Sequence, residues 1–110
     1  MSFTVSDVAT TDVMRARRQY DANPERNGAA FEDEVDAALD RIADMPRLYS
    51  PVEDGVPGRE IREFFIERFK QRVIYLMTGD DVLVVAVVHA TRREGAWHRN
   101  LPTDSPPETT

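Results

Sequence analysis

The chain has 110 residues, no cysteine and a formal net charge of −6. That length suits one domain with a single core, and the cysteine count excludes disulfides and thiolate metal sites and suits a reducing compartment. The charge is uneven: residues 1–57 hold 6 basic and 12 acidic side chains, whereas residues 58–99 hold 8 basic and 6 acidic. An acidic first half argues against nonspecific nucleic-acid binding by the whole molecule and leaves room for a local basic patch on the second half.

Met1 to Val5 lacks the basic-then-apolar pattern of a signal peptide. The longest apolar run, Val82 to Val88, is too short for a membrane span. A cytoplasmic protein is the expectation.

Phe3-Thr4-Val5 is a short β candidate, and Ser6 followed by Asp7 suits the cap and first turn of a helix. Ala9, Val13, Ala16 and Tyr20 form one helical stripe, which predicts a helix over about residues 7–22. Asn23-Pro24 ends that helix, and Pro24 fits the first turn of a second. Phe31, Val35, Ala38, Leu39 and Ile42 repeat with helical spacing, while Glu32, Asp33, Asp36 and Asp40 occupy the opposite face. Gly28 should weaken the first turn by up to about 1 kcal/mol relative to alanine. Pro46 closes the second helix, and so short a connection predicts a helical hairpin.

Residues 47–58, with Pro51, Gly55, Pro57 and Gly58, read as a loop. Arg59 to Ile66 reads as a strand with mixed faces near the sheet edge. Arg68 to Met77 and Val82 to His89 are two strands joined by a Gly79-Asp80 turn. Both are apolar at odd and even positions, as in strands covered on both faces. Residues 1–99 are thus predicted to form one domain and 100–110 a disordered tail rich in proline, serine and threonine.

The order strand, helix, helix, three strands predicts an α+β fold: a helical hairpin on one face of a mostly antiparallel, twisted sheet, β-α-α-β-β-β. With no further element to cover it, the other face is expected to stay partly open to a partner. The apolar signal stops at His89, and Arg92, Arg93 and Trp97 follow at once.

His89 reads either as a group titrating near neutrality or as a strand-end histidine fixing the chain after it. Arg92 and Arg93 could meet phosphate or an acidic segment, or pair with the acidic second helix. Trp97 could anchor an interface or plug the core, and Arg62, Lys70 and Arg72 could extend a basic groove or face solvent.

In chain order, Ser6, Ala9, Asp12, Ala16 and Tyr20; Phe31, Leu39, Ile42 and Pro46; Arg62 with Phe64-Phe65; Arg68-Phe69; Val73-Ile74-Tyr75; and Val85 to His89 with Arg92-Arg93 and Trp97 make an ordered set. Over roughly residues 3–99 this set resembles the RelE/ParE superfamily of toxins from bacterial type II toxin–antitoxin systems, also called plasmid stabilisation proteins. The ending, a histidine, a basic pair and a tryptophan, is similar to the ParE-like branch. The resemblance implies a cognate antitoxin that wraps and neutralises the toxin, and operator DNA contacted only through that antitoxin. It implies no metal and no cofactor.

The two branches imply different activities. ParE-like members bind DNA gyrase and trap its cleaved-DNA state. RelE-like members cut mRNA on the ribosome with basic side chains. In that second case Arg72, Arg92 and His89 would be catalytic. Glu63, Phe64 and Phe65 stand where the RelE-like branch carries lysines, and Trp97 where some members use a tyrosine. The gyrase-binding reading is therefore preferred, with Arg62, Lys70, Arg92, Arg93 and Trp97 as partner- or target-binding residues. An attenuated relative that only binds antitoxin is a third reading, suggested by the acidic balance.

Overall fold

The computed structural model describes residues 1–23 and 27–102. Its order is β1 (Phe3–Val5), α1 (Asp7–Asp21), α2 (Gly28–Asp44), β2 (Glu60–Ile66), β3 (Gln71–Thr78), β4 (Asp81–His89) and a 3₁₀ turn, η1 (Ala96–Asn100). The sheet order is β1-β4-β3-β2, parallel between β1 and β4 and antiparallel elsewhere. The α+β architecture expected from the sequence is the one observed, with β3 and β4 central and β2 at an edge.

Local chemistry sets the element boundaries. The Ser6 hydroxyl accepts from the Ala9 N–H at 3.1 Å, capping α1, while the Ser6 N–H donates to the Val84 carbonyl at 3.0 Å. The strand-to-helix junction is thus pinned to β4. Helix α2 begins at Gly28, later than Pro24 would place it; Pro24 itself lies outside the described residues. Asn27 is the cap, its side-chain oxygen accepting from the Ala29 and Ala30 N–H groups at 2.9 and 3.2 Å.

Gly28 has a positive role there. A Cβ at this position would lie 2.8 Å from the Arg17 carbonyl oxygen and 2.3 Å from Asp21 Oδ1. The two helices approach closely enough at this point to exclude any side chain.

The β3–β4 hairpin closes with Gly79 at φ 60°, as expected of a tight turn whose first central residue is left-handed. Along β4 the pairing slips by one residue. Ile74 faces Ala86 and Tyr75 faces Val84, leaving Val85 as a bulge.

Two apolar layers sandwich the sheet. Phe31, Val35, Ala38 and Ile42 of α2 and Ala9 of α1 pack on Val73, Tyr75, Val84 and Val87. Tyr20, Phe31 and Phe69 meet with ring centroids 4.9–5.3 Å apart, joining both helices to the β2–β3 turn. On the opposite face Ile61, Ile74, Leu76, Ala86 and Val88 pack around Trp97, with Val52, Val56 and Leu101 over them.

This second layer corrects the expectation of an open sheet face. The loop before β2 and the segment after β4 supply a cover that periodicity does not reveal, because neither is a long regular element. Asn100 and Leu101, expected in the tail, belong to the fold: Asn100 Nδ2 donates to the Val85 carbonyl at 3.1 Å, and Leu101 packs on the second layer. Residues 103–110 lie outside the described residues. Among the described residues no helix is long and apolar enough to cross a membrane.

Candidate functional site

The residues singled out in the sequence separate onto different surfaces. Alternation along β3 and β4 puts Arg72 on the face covered by Trp97 and its neighbour His89 toward the helices. Arg72 is 14% exposed at its side chain. Its Nη2 lies 2.7 Å from Asp54 Oδ1, and its Nε donates to Glu63.

Asp54 is the hub of this region. Its side chain, 5% exposed, accepts from both Arg72 Nη atoms, from the Gly95 N–H at 2.9 Å and from Trp97 Nε1 at 2.9 Å. Burial alone would raise its pKa. The Arg72 ion pair and the two N–H donors outweigh that effect and hold the carboxyl well below the usual carboxylate range. Asp54 and Glu63 in turn keep Arg72 firmly cationic against the effect of burial.

Trp97 is 2% exposed. Of the two readings of Trp97, interface anchor and core plug, its burial fits the plug: the indole lies in the second apolar layer, with its N–H spent on Asp54. Its exposed edge still forms part of the wall of a hollow beside α1.

The other expected contact residues are dispersed. Arg62 pairs with Glu60 at 2.9 Å and donates to the Tyr49 carbonyl at 2.6 Å. Lys70 sits in the β2–β3 turn at φ 55° and pairs with Glu67. His89 Nδ1 accepts from the Thr91 N–H at 3.1 Å and lies 2.8 Å from the Thr91 hydroxyl, fixing the turn after β4. Arg93 is exposed and forms no ion pair among the described residues.

Arg92 connects these surfaces. It lines a hollow of about 360 Å³ with Arg72, Asp54 and Glu63. It lines a second of about 180 Å³ with His89, Gln71 and Asp12. It also lines a third of about 400 Å³ with Arg15, Arg99, Asp12 and Trp97. Arg72 and Arg92 therefore come together, as do Arg92 and His89, but none of these three hollows holds Arg72, Arg92 and His89 together.

Asp12 holds the outer edge of β4. Strand β1 pairs with β4 only through Val84, and beyond that point Asp12 Oδ2 accepts from the Val87 N–H at 3.0 Å. Burial pushes its carboxyl above the ordinary value. The Val87 hydrogen bond and the charges of Arg15, Arg92 and Arg99 oppose that shift without cancelling it.

Asp54, Arg15 and Arg99 were not singled out as site residues. Asp54-Gly55 reads as turn chemistry, and only the tertiary contact of its loop with Trp97 gives the carboxylate a role. Asp12 did carry a signal: it lies three residues after Ala9 and four before Ala16, on the apolar side of α1. A carboxylate there must find a partner in the core or at its rim.

A family model described as the ParE toxin of the type II toxin-antitoxin system, parDE, matches residues 3–94. No curated protein matches the chain. Among solved structures, a chain of the chromosomal ParDE TA system from P. aeruginosa has a TM-score of 0.65 at 19% sequence identity, covering 81% of this chain and 95% of that one. At that identity the likeness bears on the fold, and it agrees with the β-α-α-β-β-β arrangement described above. The match across residues 3–94 decides the family: this chain belongs to the ParE toxins of type II toxin–antitoxin systems.

Proposed function

We propose that the chain arrests growth by binding a macromolecular target, DNA gyrase, and that a cognate antitoxin holds it inactive. Operator DNA would be contacted only through the antitoxin. The observation that carries this reading is the state of Arg72. Phosphoryl chemistry on mRNA would need a guanidinium free to hold a phosphate and a proton-transfer group within reach of the same atoms. Arg72 is committed to Asp54 and Glu63, and His89 faces the other side of the sheet. Inhibition by contact requires only a complementary surface, and no metal or cofactor.

The test is direct. Purified protein should increase gyrase-dependent DNA cleavage and leave mRNA on programmed ribosomes intact. No change in gyrase cleavage at micromolar dose would count decisively against this reading.

One observation favours a second reading, a ribosome-dependent endonuclease: Arg72 and Arg92 line the same hollow. Primer extension on translated mRNA would then show new cuts that disappear in Arg92→Ala. Induced expression without the neighbouring antitoxin separates both from an attenuated relative, which would leave growth unchanged.

A further inference from the structure

Three arginines, Arg15 from α1, Arg92 from the turn after β4 and Arg99 from η1, line one hollow of about 400 Å³. None of them forms an ion pair among the described residues. Arg17, Arg47, Arg62 and Arg72 find carboxylates, whereas these three guanidinium groups share one hollow with their charges uncancelled by a direct pair. All three act electrostatically on Asp12, which places their charges around the same floor. Asp12 is already engaged by the Val87 N–H, so it satisfies none of the three through a direct ion pair. Val8, Val88, Ala96 and Trp97 supply the apolar part of its lining. Val8 stands 46% exposed at the rim.

We propose that this hollow is a docking site for an acidic segment of a partner protein, which seats a carboxylate among Arg15, Arg92 and Arg99 and an apolar neighbour against Val8. Guanidinium forks suit carboxylates, which they can hold through two parallel hydrogen bonds. Charge decides against nucleic acid as the occupant. A duplex needs a basic track matching its phosphate spacing. Here Asp7 and Asp12 stand inside the hollow, and Glu53, Glu63 and Glu94 line the adjoining one. A peptide can place one or two carboxylates between these acids, whereas a continuous polyanion meets them all.

This inference names the chemistry of a partner for the toxin reading above and rests on that reading only in expecting a protein partner. Its test uses no growth or gyrase assay, so the two can fail separately. The full chain is titrated with a fluorescein-labelled peptide of alternating glutamate and valine, with its glutamine counterpart, and with a labelled single-stranded oligonucleotide. The glutamate peptide should bind, with affinity falling as salt rises. Arg92→Ala and Arg99→Ala should each weaken it by about tenfold, a change of about 1.4 kcal/mol. Arg41→Ala, on α2, should leave binding unchanged. Amide shifts on binding should map to Val88, Ala96 and Asn100 and to the Trp97 indole N–H. The proposal is overturned if the glutamate peptide does not bind, if the glutamine peptide binds equally, if Arg41→Ala loses as much as Arg92→Ala, or if the oligonucleotide displaces the peptide.

Discussion

Replacing Asp54 with asparagine removes the charge that holds the loop before β2, Arg72 and the turn carrying Trp97 in one network. The remaining amide oxygen can keep the Gly95 and Trp97 N–H donors, both at 2.9 Å in the wild type. The new NH₂ group then points at Arg72 Nη2, from which the carboxylate accepts at 2.7 Å. Arg72, at 14% exposure, keeps Glu63 as its carboxylate partner and a longer contact from Nη1 to the amide oxygen. Breaking a buried ion pair from one side costs about 3–5 kcal/mol, and the surviving Glu63 partner argues for the lower end, about 3 kcal/mol. With a urea dependence of about 1.5 kcal/mol/M, the unfolding midpoint should fall by about 2 M.

The pH dependence carries a definite sign. The folded carboxyl lies below its ordinary value, so its stabilisation is complete above the unfolded value of about 4 and is lost as pH falls toward the folded one. Wild type and Asp54→Asn should therefore converge on acidification. The double variant Asp54→Asn/Arg72→Met should lose less than the two single losses added, by about 1–3 kcal/mol. A midpoint shift under about 0.5 M, additive losses, or a gap that widens at low pH would refute the network.

Further outcomes can be checked alongside it. Gly28→Ala should lower stability by about 1–3 kcal/mol by overpacking, although alanine is the better helix former by about 1 kcal/mol, because its Cβ would meet the Arg17 carbonyl; a raised melting temperature would contradict the close helix approach. For Asp12 the raised folded pKa means that stability declines as pH rises from the ordinary carboxylate value through the folded one. Asp12→Asn keeps an oxygen for the Val87 N–H and should remove that decline, measured as melting temperature against pH; an unchanged slope would refute it. Trp97→Ala should cost about 3–5 kcal/mol by denaturant unfolding, because the indole is buried in the second layer. Arg92→Ala should stay within about 0.5 kcal/mol of wild type, since its side chain is exposed and unpaired; a larger loss would show a structural role.

Much of the fold was legible because it rests on short-range pattern. The helical stripe Phe31, Val35, Ala38, Ile42, the Ser6 cap and the Gly79 turn each act within a few residues. The doubly apolar strands even announced cover on both faces. The identity of the second cover was hidden, because Val52, Val56, Trp97 and Leu101 come from irregular segments with no period to read. The same cause left Trp97 open between anchor and plug and hid the Asp54 partner of Arg72.

Periodicity, turn residues and capping chemistry thus determined the element order and the central place of β3 and β4, since these depend on neighbours in the chain; the resemblance to a toxin family rested on an ordered set of particular residues. Tertiary structure alone decided which charges cancel and which stay available. Asp54 reaches Arg72 across 18 residues and Trp97 across 43, whereas Arg15, Arg92 and Arg99 converge on one hollow and form no ion pair among the described residues. A charge's partner is set by distance in space, and no local pattern in the chain encodes that distance.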